Sequence, residues 1–247
     1  MRLFILYFCA FFFVFSNSAF ASDICADIKP RETIVNIDVI MPEPHYNLGA
    51  SKRYLTKKSK EVTEDWLKKH DMEVLWKAED LQTAGIASAG QGLVYEAKLY
   101  AEPVDRYNAY YCTYFDEITV TVFYRTLIYI PKNYPKGTCA FEDINQHELR
   151  HHQANKEVVG KYAMLLEQDI GEMITLMEKG HAPRDQVEER IEEIKLGLKD
   201  AIQIYARDSV IKEMEERNAM IDTPEEYERG SQKLRECMKL DGNVPRH

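Results

Sequence analysis

The sequence predicts an α+β fold: a small antiparallel sheet packed on a helix that bears a His-Glu-X-X-His motif, followed by a long antiparallel helical hairpin. Three observations predict it. Apolar and polar residues alternate between Thr33 and Ile40 and again between Ile118 and Ile130, the period of half-buried strands. From Val158 onward apolar residues recur mostly at three- and four-residue steps, the period of an amphipathic helix. Gly180-His181-Ala182-Pro183 then interrupts that pattern, with a glycine after one helix and a proline before the next.

Each element follows from local chemistry. Val35, Ile37 and Val39 alternate with Asn36 and Asp38 until Pro42 and Pro44 stop the run, which reads as a strand. Between Leu48 and Trp76 the chain is polar and rich in Lys and Glu, with one or two modest helices such as Thr63 to Lys69. Gly85, Gly90 and Gly92 mark a loop around Ala87, Ser88 and Ala89, before a strand from Leu93 to Tyr100. Ile118, Val120 and Val122 alternate with threonines, and a second run covers Leu127 to Ile130. The two runs read as a hairpin that turns at Tyr124-Arg125-Thr126. Thr138 caps the next helix, with Glu142 and Asp143 near its positive end. The hairpin arms meet near Ala182 and span about 154–218. A last helix runs from Thr223-Pro224 to near Cys237.

The first 21 residues read as a signal peptide: Arg2, an apolar core from Leu3 to Phe15, and Ala19-Phe20-Ala21 at the cleavage site. The mature chain is then residues 22–247, a single domain carrying the hairpin, in the periplasm or secreted, with no stable membrane anchor. The whole chain has a formal net charge of −9, and loss of Arg2 makes it one unit more acidic. Such a surface repels nucleic acid, so no nucleic-acid partner is expected. Four cysteines remain after cleavage, an even number suited to disulfides in an oxidising compartment. The pairing expected is Cys112 with Cys139 and Cys25 with Cys237.

The chemistry lies in His147-Glu148-Leu149-Arg150-His151. Residues four apart on a helix are about 40° from one another around its axis, so both imidazoles can reach one ion. Glu148 is about 100° round from His147, where it can take a proton from water activated by that ion. Zn2+ suits the donors and acidifies water. His152 is turned about 140° from His147 and is expected outside the ligand set, at the surface or behind the ligands.

The order Ile128-Tyr129-Ile130, Gly137-Thr138-Cys139 and the two-histidine motif resembles that of secreted bacterial zincin-like metallopeptidases of the small gluzincin type. The resemblance covers Tyr111 to Ile170, and only the motif within it is specific. It implies a peptide or protein substrate that pairs with an edge strand, for which Leu127 to Ile130 is the candidate. Ala154 and Glu157 stand where a glycine-turn zincin has a glycine and a third histidine. The helix should therefore continue, and the third ligand should be a later carboxylate. Antiparallel bookkeeping on the hairpin offers Glu213 and Glu216, and Asp222 just beyond is equally placed; Glu167 and Glu172 would need a helix break. Tyr162, Tyr205 and Tyr227 are the tyrosines that could face the cleft. The alternative is a non-catalytic interaction protein that binds a protein partner through the hairpin, with a structural metal or none.

Overall fold

The computed structural model describes residues 25, 28, 31–51, 53–55, 57, 85–104, 109–176 and 181–242. The signal peptide and the helix expected at Thr63 to Lys69 lie outside them. The described chain forms β1 (Ile34–Ile40), β2 (His45–Asn47), β3 (Ile86–Pro103) and β4 (Tyr110–Tyr129). Then come α1 (Cys139–Leu176), β5 (His181–Pro183), α2 (Val187–Tyr205), a π-helical segment (Ala206–Ile211), α3 (Lys212–Ile221) and α4 (Pro224–Asp241).

All other strands of the five-stranded sheet pair with β4. The antiparallel sheet expected from the sequence is corrected here, because β1 and β2 both run parallel to β4. His45, Tyr46 and Asn47 stand beside Leu127, Ile128 and Tyr129. Thr33 donates to the Phe115 carbonyl at 3.1 Å and Asn36 to Glu117 at 3.2 Å, so β1 advances in the same direction as β4. β5 is antiparallel, with Tyr110 opposite Pro183 and Cys112 opposite His181. Contacts of Val104 with Tyr110, Tyr100 with Tyr114 and Lys98 with Glu117 step back along β3 as they advance along β4, so that pair is antiparallel too. Strand direction is not written in an alternation pattern, and β2 is too short to show one. Those two facts defeat the sequence reading.

The predicted hairpin at Tyr124-Arg125-Thr126 is one uninterrupted 20-residue strand. Ile118, Val120, Tyr124, Thr126 and Ile128 are all buried, and their even spacing never changes phase. A turn would have broken that phase, and the stretch from Ile118 to Ile130 holds no glycine, proline, asparagine or aspartate to make one. In the loop predicted at Gly85 to Gly92, the residues from Ile86 onward are likewise strand, the start of β3.

The described residues fall into two compact units, one within Met1–Ile37, Tyr95–Val120 and Leu166–Ile204, the other within Asp38–Val94, Thr121–Leu165 and Tyr205–His247. In the first, Cys25 and Cys112 form a disulfide among Tyr114, Ile28, Tyr100 and Val104. The end of the helical hairpin is also fixed there, since β5 pairs with Tyr110–Cys112 and Ala182 is buried.

The second unit holds the motif. Thr138 Oγ1 accepts from the Phe141 amide at 3.2 Å and caps α1, as expected. Asp241 at the end of α4 adds a second cap, its carboxylate accepting from the Cys139 and Ala140 amides at 2.9 Å each. A carboxylate there satisfies orphan amides and meets the positive end of the helix dipole. This contact sets α4 against the start of α1 and joins Cys139 to Cys237, with Cα atoms 5.1 Å apart. Both expected disulfides are thus corrected to Cys25–Cys112 and Cys139–Cys237. The spacing of cysteines cannot show that Asp241 brings α4 to this end of α1. Ile128, Ile130, Tyr134, Phe141 and Ile144 pack with Cys237 and form the core beneath the motif.

Two disulfides fit an oxidising compartment. Among the described residues no helix is long and apolar enough to cross a membrane.

Candidate metal centre

α1 runs unbroken through Ala154 and Glu157, so His147, Glu148 and His151 keep the helical spacing on which the motif depends. After α3 the chain leaves helical geometry at Asp222, with φ −97° and ψ 40°. Thr223 then caps α4 by accepting from the Glu226 amide at 3.3 Å, and Pro224 follows at the first helical position. Asp222 therefore sits at a sharp junction between two helices.

Three donor atoms converge at that junction. Asp222 Oδ1 is 3.1 Å from His147 Nε2 and 3.1 Å from His151 Nε2, and the two Nε2 atoms are 3.3 Å apart. Metal–ligand bonds of about 2.0–2.1 Å at tetrahedral angles place ligand atoms about 3.3 Å from one another. The triangle therefore has the edges of one face of such a tetrahedron. These three side chains could hold a metal ion.

The other acids do not join them. Glu213 is taken by Lys161 Nζ at 2.5 Å and by Arg217 at 2.8 Å. Glu216 is exposed and lines a cleft of about 430 Å³ with Lys161, Asp208 and Lys212. Glu157 pairs with Arg217 at 3.2 Å. Glu172 accepts from Gln168 at 3.2 Å, and Glu167 is exposed on the helix. Of the carboxylates proposed from sequence, only Asp222 meets both histidines.

His151 is fixed from behind. Its Nδ1 lies 2.8 Å from Asn218 Oδ1, and Asn218 donates in turn to the buried Asn155 at 2.8 Å. With Nδ1–H donated to Asn218, Nε2 is the ring atom that would turn to an ion after giving up its proton. Burial opposes charge on His151, but Asp222 and Asn218 outweigh it and raise its pKa. Burial also works against the Asp222 carboxylate, yet hydrogen bonds from His147 and His151 hold it far below the usual range. Neither Asn155 nor Asn218 was legible as a support; only their four-residue offsets, from His151 and from Asp222, hint at it.

Compared with protein-family models, curated proteins and solved structures, the chain matches none.

Glu148 is buried beside the ligands, only 4% exposed. Burial pushes its pKa up to about 7 against the pull of His147 and His151. It accepts a hydrogen bond from the Ala87 amide, which ties it to the start of β3. Gly85 explains the close approach: a Cβ there would lie 2.6 Å from Glu148 Oε1 and 2.6 Å from the Ile144 side chain. The glycine that marked a loop in the sequence instead lets a strand pass over the carboxyl group.

Tyr227, in the first turn of α4, has its ring centroid 6.5 Å from that of His147. Its hydroxyl hydrogen-bonds Asp222. Burial, then the charges of Asp222 and Glu148, raise its pKa, so it remains a donor at neutral pH. Tyr162 and Tyr205 instead meet each other edge to face, 6.0 Å between centroids.

His152 is not at the surface as one of its two expected placements had it. It is buried, stacked on Tyr124 and bonded through Nδ1 to Thr126 Oγ1 at 2.9 Å. Burial lowers its pKa, which suits a neutral ring packed against the sheet.

Proposed function

We propose that this chain is an exported zinc-dependent hydrolase that cleaves amide bonds in peptides, a zincin-like metallopeptidase acting in the periplasm or outside the cell. The observation that carries this reading is the triangle of His147, His151 and Asp222 with a buried carboxylic acid, Glu148, beside it. Two histidines and one carboxylate are a donor set of catalytic zinc sites, which leave a fourth position open. When bound, the ion would acidify water and polarise the substrate carbonyl.

The rest falls to the chain's own residues. Glu148 has a pKa raised to about 7, which suits a group that must first accept a proton and then return it to the leaving amine. Bound cation would draw that pKa down and keep the base ionised. Tyr227 keeps its hydroxyl protonated on the ligand side, and we assign it to shift its hydrogen bond from Asp222 to the carbonyl oxygen as charge develops there.

The substrate strand is reassigned as well. Leu127–Tyr129 pair with β2, within a strand to which every other strand of the sheet is joined. The β2 side of Leu127 to Ile130 is therefore filled. β3 pairs, among the described residues, only with β4, and its start touches Glu148 through Ala87. An extended peptide adding to β3 would lie beside the base.

Glu148→Gln tests the reading. The variant is expected to retain zinc and to lose at least about 10³-fold in cleavage of a mixed peptide substrate. Cleavage by the variant at the wild-type rate would overturn it.

A further inference from the structure

α4 is an 18-residue helix in which Cys237 alone is buried, with Leu234 partly buried on the core beneath the motif. A helix that buries so little apolar surface depends on specific contacts for its place. Those contacts run along the first half of α1. Cys237 is joined to Cys139, Lys233 lies 2.5 Å from Asp143, and Glu226 lies 3.4 Å from Arg150. Four and then seven residues forward along α1 match four and then seven back along α4, so the two helices are antiparallel in constant register.

The contacts are unequal. Lys233 is 61% exposed and Arg150 46%, and ion pairs of that exposure hold a helix weakly. The disulfide and the Asp241 cap on the Cys139 and Ala140 amides are the durable attachments, and both lie at the far end of α4. The near end carries what the metal centre needs. Asp222 immediately precedes the Thr223 cap, and Tyr227, in the first turn of α4, hydrogen-bonds Asp222. Because Asp222 is the non-helical junction of α3 and α4, its carboxylate stands against His147 and His151 only while both helices are in place. α3 is held independently, through Asn218 on His151 and Asn155 and through Glu213 on Lys161.

We propose that the Cys139–Cys237 bond is the switch that assembles the metal centre and couples zinc capture to oxidation, an inference that rests on the metal reading of the site. With both thiols reduced, α4 is held to α1 only by its cap and exposed ion pairs, and Asp222 is no longer kept in the triangle with the two histidines. Oxidation forms the Sγ–Sγ bond as both S–H bonds are lost. Two electrons and two protons pass by thiol–disulfide exchange to a protein disulfide of the oxidising compartment, which leaves as a dithiol. The reduced chain therefore holds zinc weakly, and the site forms once the chain is oxidised. Cys139 and Cys237 are positioning residues for Asp222 and touch neither metal nor substrate.

The test compares the two disulfides by zinc affinity, read by chelator competition on the full mature protein. Cys25–Cys112 and Cys139–Cys237 span 87 and 98 residues, so their removal relaxes the unfolded chain to nearly the same extent. Cys139→Ala/Cys237→Ala should bind zinc at least about tenfold more weakly than wild type, the scale of losing a group that orients a ligand. Cys25→Ala/Cys112→Ala, in the other unit, should bind as wild type. The reciprocal effect is read on the wild-type chain in glutathione redox buffers, with each cysteine pair followed by alkylation and mass spectrometry. Zinc should protect Cys139–Cys237 from reduction by the same factor and leave Cys25–Cys112 unchanged, a readout that needs no variant to fold. Unchanged zinc affinity in Cys139→Ala/Cys237→Ala, equal losses in both double variants, or no protection by zinc would overturn the switch and leave the metal reading intact. A wild type that holds no more zinc than His151→Ala would overturn both.

Discussion

Two carboxylates reach α1 from the C-terminal helices of the same unit, and their surroundings differ in kind. Glu213 meets full cations, Lys161 at 2.5 Å and Arg217 at 2.8 Å, and accepts from Tyr162. The hydrogen bond from Lys161 leads the effects that lower its pKa. Asp222 meets two imidazoles whose nitrogens can offer lone pairs, and a tyrosine that can only share a proton. The charge of Glu213 is answered within the protein. The charge of Asp222 is answered by the two histidines, and these three side chains are arranged at the spacing a small dication imposes. The sequence reading placed Glu213 opposite the motif and Asp222 just beyond that helix; the partners decide which is a ligand.

The paired tyrosines give the sharpest contrast between the two regions. Tyr227→Phe is expected to lower kcat of peptide cleavage by about 10²-fold, the loss of one donor to a developing oxyanion. Tyr162→Phe, at the Glu213 cluster, should change it less than about twofold, because that hydroxyl serves an ion-paired acid away from the ligands. Steady-state kinetics on both variants checks this, and equal losses would erase the distinction.

A second contrast concerns stability. Burial raises the pKa of Glu148 from its ordinary 4.5 to about 7 in the folded protein. A raised carboxyl pKa means the folded state holds more protons than the unfolded one between those values, so stability falls as pH rises through that window. Metal-free Glu148→Gln lacks this loss. It should be more stable than metal-free wild type by about 3 kcal/mol at pH 8, with the gap closing below about pH 4.5. Urea unfolding at the two pH values reads it, and a gap independent of pH would refute the burial argument. Glu213→Gln is the smallest expected change, under about 1 kcal/mol, because its cations are largely solvated.

How far these features were legible depended on their range. His147, Glu148 and His151 are related by helical spacing alone, and Asp222 stood just past a recognisable helix end. The polar gap at Asp208 and Ser209 was also visible, and it is the π-helical segment Ala206–Ile211. Contacts from distant parts of the chain were not. Gly85 read as a loop because its reason, the approach of β3 to Glu148, lies on another element. Asp241 capping α1 decided a disulfide that spacing could not. Tyr124 to Thr126 was the exception, a local error: the unbroken even-residue phase from Ile118 to Ile128 already argued against a turn.

The most direct measurement is zinc content of the purified mature protein after zinc supply and gel filtration, for wild type, Asp222→Ala and Glu213→Ala. The account predicts about one zinc per chain in wild type and Glu213→Ala, and near none in Asp222→Ala. Equal zinc in wild type and Asp222→Ala, or its loss from Glu213→Ala with the fold intact, would contradict it.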